Sequence, residues 1–186
     1  SKPLETLERL LDENPALIET EWNGWPPLFH ASLLGWIEVA ELLLDRGAVV
    51  HRSGASGETP LMTACRHGDV EMVRLLLSRG ADPSIATPRG QTALMLASLG
   101  ERALPFNAVK TVKVDHRAVM RLLIEGGRAR VDARDEEGRT ALWQACSRGL
   151  KRITRVLLME GLADATIADD EGDTPMAMAQ RRGRSG

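Results

Sequence analysis

The chain has 186 residues, a formal charge of −2, and a composition that is 43% hydrophobic and 27% charged. That length suits one domain or one array of repeats, and the composition excludes a disordered tail. No apolar run approaches the roughly 18 residues that span a bilayer, and the near-neutral charge gives no pull toward a polyanion. The chain begins Ser-Lys-Pro without a methionine and is expected to be an excised or processed piece, so a missing leader says little. Two cysteines, Cys65 and Cys146, and no N-x-S/T site fit an intracellular chain with reduced thiols, cytoplasmic or nuclear.

In chain order, Leu4 to Asp12 reads as an amphipathic helix with Leu4, Leu7, Leu10 and Leu11 as its stripe. GWPPLFHASLLGWIEVAELLLDRGAV opens at Gly24, GETPLMTACRHGDVEMVRLLLSRGAD at Gly57 and GQTALMLASLG at Gly90. GRTALWQACSRGLKRITRVLLMEGLAD opens at Gly138 and GDTPMAMAQRRG at Gly172. The glycines are 33, 33, 48 and 34 residues apart, so the chain repeats itself.

Each part of the unit has a physical role. Thr59, Thr92, Thr140 and Thr174 stand where a helix needs an N-cap, and Pro60 and Pro175 follow at the first helical position. Pro26 replaces the capping threonine in the first copy, so that helix should start less firmly. In the second copy the spacing predicts one helix over Pro60 to His67, ended by Gly68. A second follows over Val70 to Ser78, with Val70, Val73, Leu76 and Leu77 as its stripe. Gly80 supplies the left-handed closing residue. Such stripes are too wide for one helix pair to hide, so neighbouring copies must stack into a solenoid.

The pattern G-x-T-P-L-x-x-A…G…V-x-x-L-L-x-x-G-A-D resembles the ankyrin repeat over nearly the whole chain. The resemblance implies an all-α solenoid of stacked helix pairs with hairpin-like fingers. It implies one domain over 1–186: half repeats at 1–20 and 169–183 around repeats at about 21–53, 54–86, 87–134 and 135–168. Members of that family usually carry histidine where this chain has Phe29, Met62, Met95, Trp143 and Met176. Apolar packing is expected to substitute for the inter-repeat hydrogen bonds of that histidine.

The third copy is interrupted by LGERALPFNAVKTVKVDH, from Leu99 to His116. Gly90 to Gly127 spans 37 residues where Gly57 to Gly80 spans 23, which places an insertion of about fourteen residues, at about 101–114, between two helices. Asp115 is expected to cap the second of these, although Val109, Val112, His116, Val119 and Leu123 also keep helical spacing. Phe106 and the valines make either a binding loop or slack, since closure entropy grows slowly with length.

No catalytic constellation emerges, and no cofactor or metal is expected. His30, His51, His67 and His116 lack zinc spacing, and neither cysteine has a C-x-x-C partner. Two repeats of stacked helices separate Cys65 from Cys146 by about 20 Å, beyond disulfide reach. GGRARVDARDEEG lacks the G-K-[ST] of a phosphate loop, and ADDEGD at Ala168 to Asp173 lacks the ligand order of a calcium loop.

The resemblance implies that partners contact the fingertips and the exposed ends of the first helices. Those positions are Trp22, Asn23, Trp25, Leu33 and Leu34, then Glu58, Arg66 and His67, then Arg89, Gln91 and Leu99. Further along they are Arg139, Ser147, Arg148, Arg181 and Arg182, with Phe106, Lys110 and Lys113 of the insertion beside them. This surface is expected to run from apolar to basic, flanked by acidic fingertips at Asp135, Glu136, Glu137, Asp169, Asp170 and Glu171. Exposed Trp, Leu and Arg are binding hot-spot types. A non-enzymatic scaffold or adaptor, monomeric alone, that binds a peptide or folded protein is the expected function; a domain that inhibits an enzyme by docking on it is the alternative. Nucleic acid is not an expected partner, because the acidic fingertips repel phosphate.

Overall fold

The computed structural model describes residues 2–99 and 114–183, which form helices joined by turns, with isolated bridges in place of strands. Helix α1 (Lys2–Glu13) is followed by a 3-10 turn at Pro15–Glu19. Four helix pairs come next: α2 (Pro27–Leu34) with α3 (Ile37–Asp45), α4 (Pro60–His67) with α5 (Val70–Ser78), α6 (Ala93–Ala97) with α7 (His116–Glu125), and α8 (Ala141–Arg148) with α9 (Lys151–Met159). Helix α10 (Pro175–Gly183) closes the described chain. The expected all-α solenoid is what forms.

The helices start where the threonines stand. Thr59 Oγ1 accepts the Met62 N–H at 3.3 Å, and the Thr59 N–H points back to Met62 Sδ at 3.4 Å. Thr92, Thr140 and Thr174 repeat the cap with the N–H groups of Met95, Trp143 and Ala177. Pro26 makes no side-chain cap. Asp115 caps α7, accepting from Arg117 N–H at 3.0 Å and Ala118 N–H at 3.1 Å. The helix therefore begins at His116, and Val114 instead bridges to Asp69. Gly68 ends α4 in the left-handed conformation, at φ +69°, and a Cβ there would also lie 2.8 Å from the His116 ring. Residues 100–113 of the insertion lie outside the described residues.

First helices pack on first helices (α2, α4, α6, α8, α10) and second helices on second helices (α1, α3, α5, α7, α9). One leucine per second helix sits two residues before the helix's last turn residue: Leu43, Leu76, Leu123 and Leu157, all 0–1% exposed. The stripe of α5 shifts from the expected one. Met72, Val73 and Leu76 are fully buried, and Val70 and Leu77 only half-buried. In α1, Leu10 was expected inside but is 42% exposed, and Leu11, two residues before the helix end like the four leucines above, is the one buried, at 4%.

The fingers are laced together by backbone hydrogen bonds. Ala55 N–H donates to Gly24 O at 3.0 Å, Glu136 to Arg89 O at 2.9 Å, and Asp170 to Glu137 O at 3.1 Å. At the second junction the donor position holds Pro88, which has no N–H. Its ring packs over Gly57 instead, where a Cβ would sit 2.3 Å from Pro88 Cδ.

Leu76→Ala empties a sealed position and is expected to destabilise by about 2–5 kcal/mol, whereas Thr59→Ala removes only a cap, about 1 kcal/mol. Denaturant melts should rank them in that order; the reverse ranking would overturn this assignment of core and cap.

Candidate protein-binding groove

The first finger is a two-residue hairpin. Trp22 and Trp25 exchange backbone hydrogen bonds at 2.9 and 3.1 Å across Asn23 and Gly24, whose φ angles of +54° and +78° suit a type I′ turn. The Asn-Gly pair was the sequence signal for this hairpin. It leaves Trp22 67% exposed, with the His30 ring 5.1 Å away and His30 Nε2–H donating to Trp22 O at 3.2 Å. Trp25 is half-buried, stacked on Phe29 at 3.9 Å and lying across Gly54 of the next finger, so it mainly fills an inter-repeat gap. Leu33 and Leu34 are half-buried at the end of α2, as is Leu99 beyond α6. Trp36, 48% exposed at the start of α3, escapes any pattern based on groove positions.

The charged half differs from the basic surface expected. Arg66 is ion-paired with Glu58, Arg181 with Asp173, and Arg89 with Glu136 at 3.5 Å. Asp135 is not an exposed fingertip: its side chain is fully buried. It accepts from the N–H groups of Glu137 and Arg139, from Arg139 Nε at 3.0 Å and from Gln144 Nε2 at 3.2 Å. Arg139 also reaches Glu137 at 2.6 Å and lies 5.8 Å from the Trp143 ring. Arg66, Arg139 and Arg181 pair with carboxylates two to eight residues away in sequence, whereas Arg89 reaches Glu136 of the next finger. Arg148 is the exception. It is exposed, donates to Gln144 O at 3.3 Å, and pairs with no carboxylate among the described residues. Gln91 is half-buried and contributes its N–H to Thr87 Oγ1. His67 Nδ1–H donates to Thr63 O at 2.8 Å, and burial lowers its pKa, so it carries no charge near neutrality. Phe106, Lys110 and Lys113 lie outside the described residues, as does the side chain of Arg182.

A family model for ankyrin repeats in three copies matches residues 1–87, 50–114 and 106–185. The chain belongs to the ankyrin repeat family. Over 68 residues it is 40% identical to the "Ankyrin repeat and KH domain-containing protein mask-1" of Caenorhabditis elegans. That stretch is 37% of this chain but 2% of the worm protein, so the likeness concerns the repeats alone. Ankyrin repeats are generally protein–protein interaction modules. Among the described residues no helix is long and apolar enough to cross a membrane, and no three His, Cys, Asp or Glu side chains gather as metal ligands.

At the position where ankyrin repeats usually carry histidine, Met62 and Met95 are 1% exposed and Phe29 is 6% exposed, so apolar packing does replace it there. Trp143 departs from that expectation. Its indole Nε1–H donates to Asp173 O at 3.0 Å, restoring a hydrogen bond to the next ankyrin unit. Met176 is 60% exposed. Cys65 and Cys146 are both free and buried.

One buried acid lies behind this surface. Asp69 caps α5 through Oδ1, which accepts the Met72 N–H at 3.0 Å, while its Oδ2 has no partner among the described residues. Burial pushes the Asp69 carboxyl above its ordinary value, against backbone hydrogen bonds that favour the ionised form. A carboxyl raised on folding opposes folding while it is ionised, and that penalty vanishes below its unfolded pKa. Asp69→Asn keeps a capping oxygen. It should therefore raise stability at pH 7 and lose that advantage as the pH falls through the ordinary carboxylate range. Urea melts at both ends of the range check this; an advantage that grows toward acid would contradict it.

Proposed function

We propose that the chain is a non-catalytic scaffold or adaptor of intracellular proteins that holds a peptide or folded partner along its fingers and first-helix ends. It is read as one domain of four full repeats between two half repeats. The supporting observation is the exposed Trp22, fixed by a type I′ hairpin with the His30 ring 5.1 Å away. A large aromatic held rigid in water costs little further entropy when a partner covers it. Exposed pairs further along, such as Arg89–Glu136, are screened and contribute specificity more than affinity. Arg148 is the cation best placed to meet a partner carboxylate. Nucleic acid is not part of this reading, because carboxylates already pair with Arg66, Arg89, Arg134, Arg139 and Arg181 on this surface.

The test is affinity for a captured partner, measured by calorimetry with variants that leave the melt unchanged. Trp22→Ala should weaken binding by at least tenfold, or about 1.4 kcal/mol. Arg89→Ala, in an exposed pair, should change it less than threefold. Equal, negligible effects of both would move the interface off this surface. An activity assay on the captured partner separates a scaffold from an enzyme-inhibiting domain.

A further inference from the structure

The outer faces of the second helices change character along the chain, and the repeats let them be compared place by place. Counted from the last residue of each helix, Arg152 of α9 stands where α3 and α5 have Glu38 and Glu71. Arg155 stands where they have Glu41 and Arg74, and Met159 where they have Asp45 and Ser78. All nine of these residues are exposed. Helices α3 and α5 each have a second helix on either side. The three places therefore face water by position, whatever stands beside the helix. Glu38 and Glu71 also make no ion pair among the described residues, so the row of Arg152 is not one that pairs across helices.

Helix α9 departs from its copies in charge and in polarity. IEVAELLLD of α3 has three acids and no cation, whereas KRITRVLLM of α9 has three cations and no acid. Lys151 and Arg152 sit in the first turn, where the helix dipole disfavours cations, and Leu150 offers no side-chain cap. Met159 is 73% exposed and Leu162, just past the helix, 80%. Leu162 is held at φ +52° in a place that belongs to glycine in earlier copies. The N–H that follows Gly47 donates from Ala48 to Leu43 O, and the one after Gly80 from Ala81 to Leu76 O, both at 2.9 Å. The one after Leu162 donates from Ala163 to Leu157 O at 3.0 Å. A Cβ on Gly47 or Gly80 would meet nothing within 4 Å, so a side chain there gains no packing even between two neighbours. Leu162 carries left-handed strain without burial, a combination that folding does not reward.

We propose that this ridge is a second docking site, and that its partner is an acidic amphipathic helix of another protein. Arg152, Arg155 and Met159 follow at spacings of three and four, which aligns them on one edge of α9 over about 10 Å. The partner's carboxylates meet Arg152 and Arg155, and its apolar edge covers Met159 and Leu162 one to two turns further on. The acids nearest the ridge are already engaged. Glu160 holds Arg121 in a bidentate pair at 2.7 Å, and Asp164 accepts from the Thr166 N–H at 2.8 Å. Both are exposed beside the apolar end, which favours a narrow helix over an anionic bilayer that would have to cover them too. The ridge uses none of the finger residues, so its failure would leave the reading above untouched.

The probe is a synthetic helix with leucines along one edge and glutamates beside them. Calorimetry titrates it into the full chain up to ~1 mM, the upper limit for a weak specific contact. Saturable binding is expected. Arg152→Glu, Met159→Ser and Leu162→Gly should each weaken it roughly tenfold, as should replacing the peptide's glutamates by glutamine. All three side chains are exposed, so circular dichroism should show unchanged folding. Leu162→Gly should in addition melt higher than the parent chain, because glycine relieves the left-handed strain. Trp22→Ala should leave the peptide's affinity unchanged. Absence of binding up to ~1 mM would overturn the proposal, and so would binding that ignores Arg152→Glu and Met159→Ser. A lower melting temperature for Leu162→Gly would show that the leucine packs, and would reject its role here. Loss of the peptide with Trp22→Ala would place it on the fingers. Binding to vesicles of phosphatidylcholine and phosphatidylserine without binding of the peptide would give the ridge to a lipid surface and equally reject the helix.

Discussion

One buried position governs this molecule: the leucine near the end of each second helix. Leu43, Leu76 and Leu123 are sealed where three bodies meet on them, the helix's own partner and the second helices on either side; Leu157 is sealed with a second helix on one side only among the described residues. A single helix pair leaves that side chain half in water, at a cost of order 1.5–3 kcal/mol for each large apolar residue left uncovered. Stability is thus a property of neighbours rather than of units. Leu11 holds that place in α1 and is 4% exposed.

That constraint divides the surface into two kinds. The finger side is free to vary because the fingers hold together by backbone bonds, such as Glu136 to Arg89, and by local ion pairs that ask nothing of the core. It can therefore carry Trp22 in the open without weakening the stack. Pro88 shows how tolerant that side is: one ladder bond is missing, and a ring packed on Gly57 replaces it. The faces of α1 and α9 have no such freedom. They present apolar side chains to water, Leu10 at 42% and Met159 at 73% exposed.

Much of this was legible in the sequence. Repeating glycines, threonine caps and a helix-period stripe place α4 and α5 at their observed bounds, because those signals act within a few residues of one another. Asp115 as the cap of α7 was readable for the same reason. What escaped depends on reach across space. The pairing of Arg134 with Asp170 spans 36 residues, and the indole bond of Trp143 to Asp173 spans 30. Neither leaves a local trace. Asp135 reads as one of three acids on a fingertip, yet burial and four donors make it a different group from Glu136 beside it. Of the candidate site, Trp22 kept the exposed role given to it. Trp25 instead serves packing, since Gly54 in the next finger leaves room for its ring.

The central claim, that each unit is held by its neighbours, is tested most directly by native-state hydrogen exchange along the chain. Backbone amides of α4 and α5, flanked on both sides, should be the most protected. Those of α1 and α10 should exchange at least a hundredfold faster, a difference of about 2.7 kcal/mol in opening free energy. Protection in α10 equal to that in α4 would contradict the account, because it would mean a helix flanked on one side is as secure as one flanked on both.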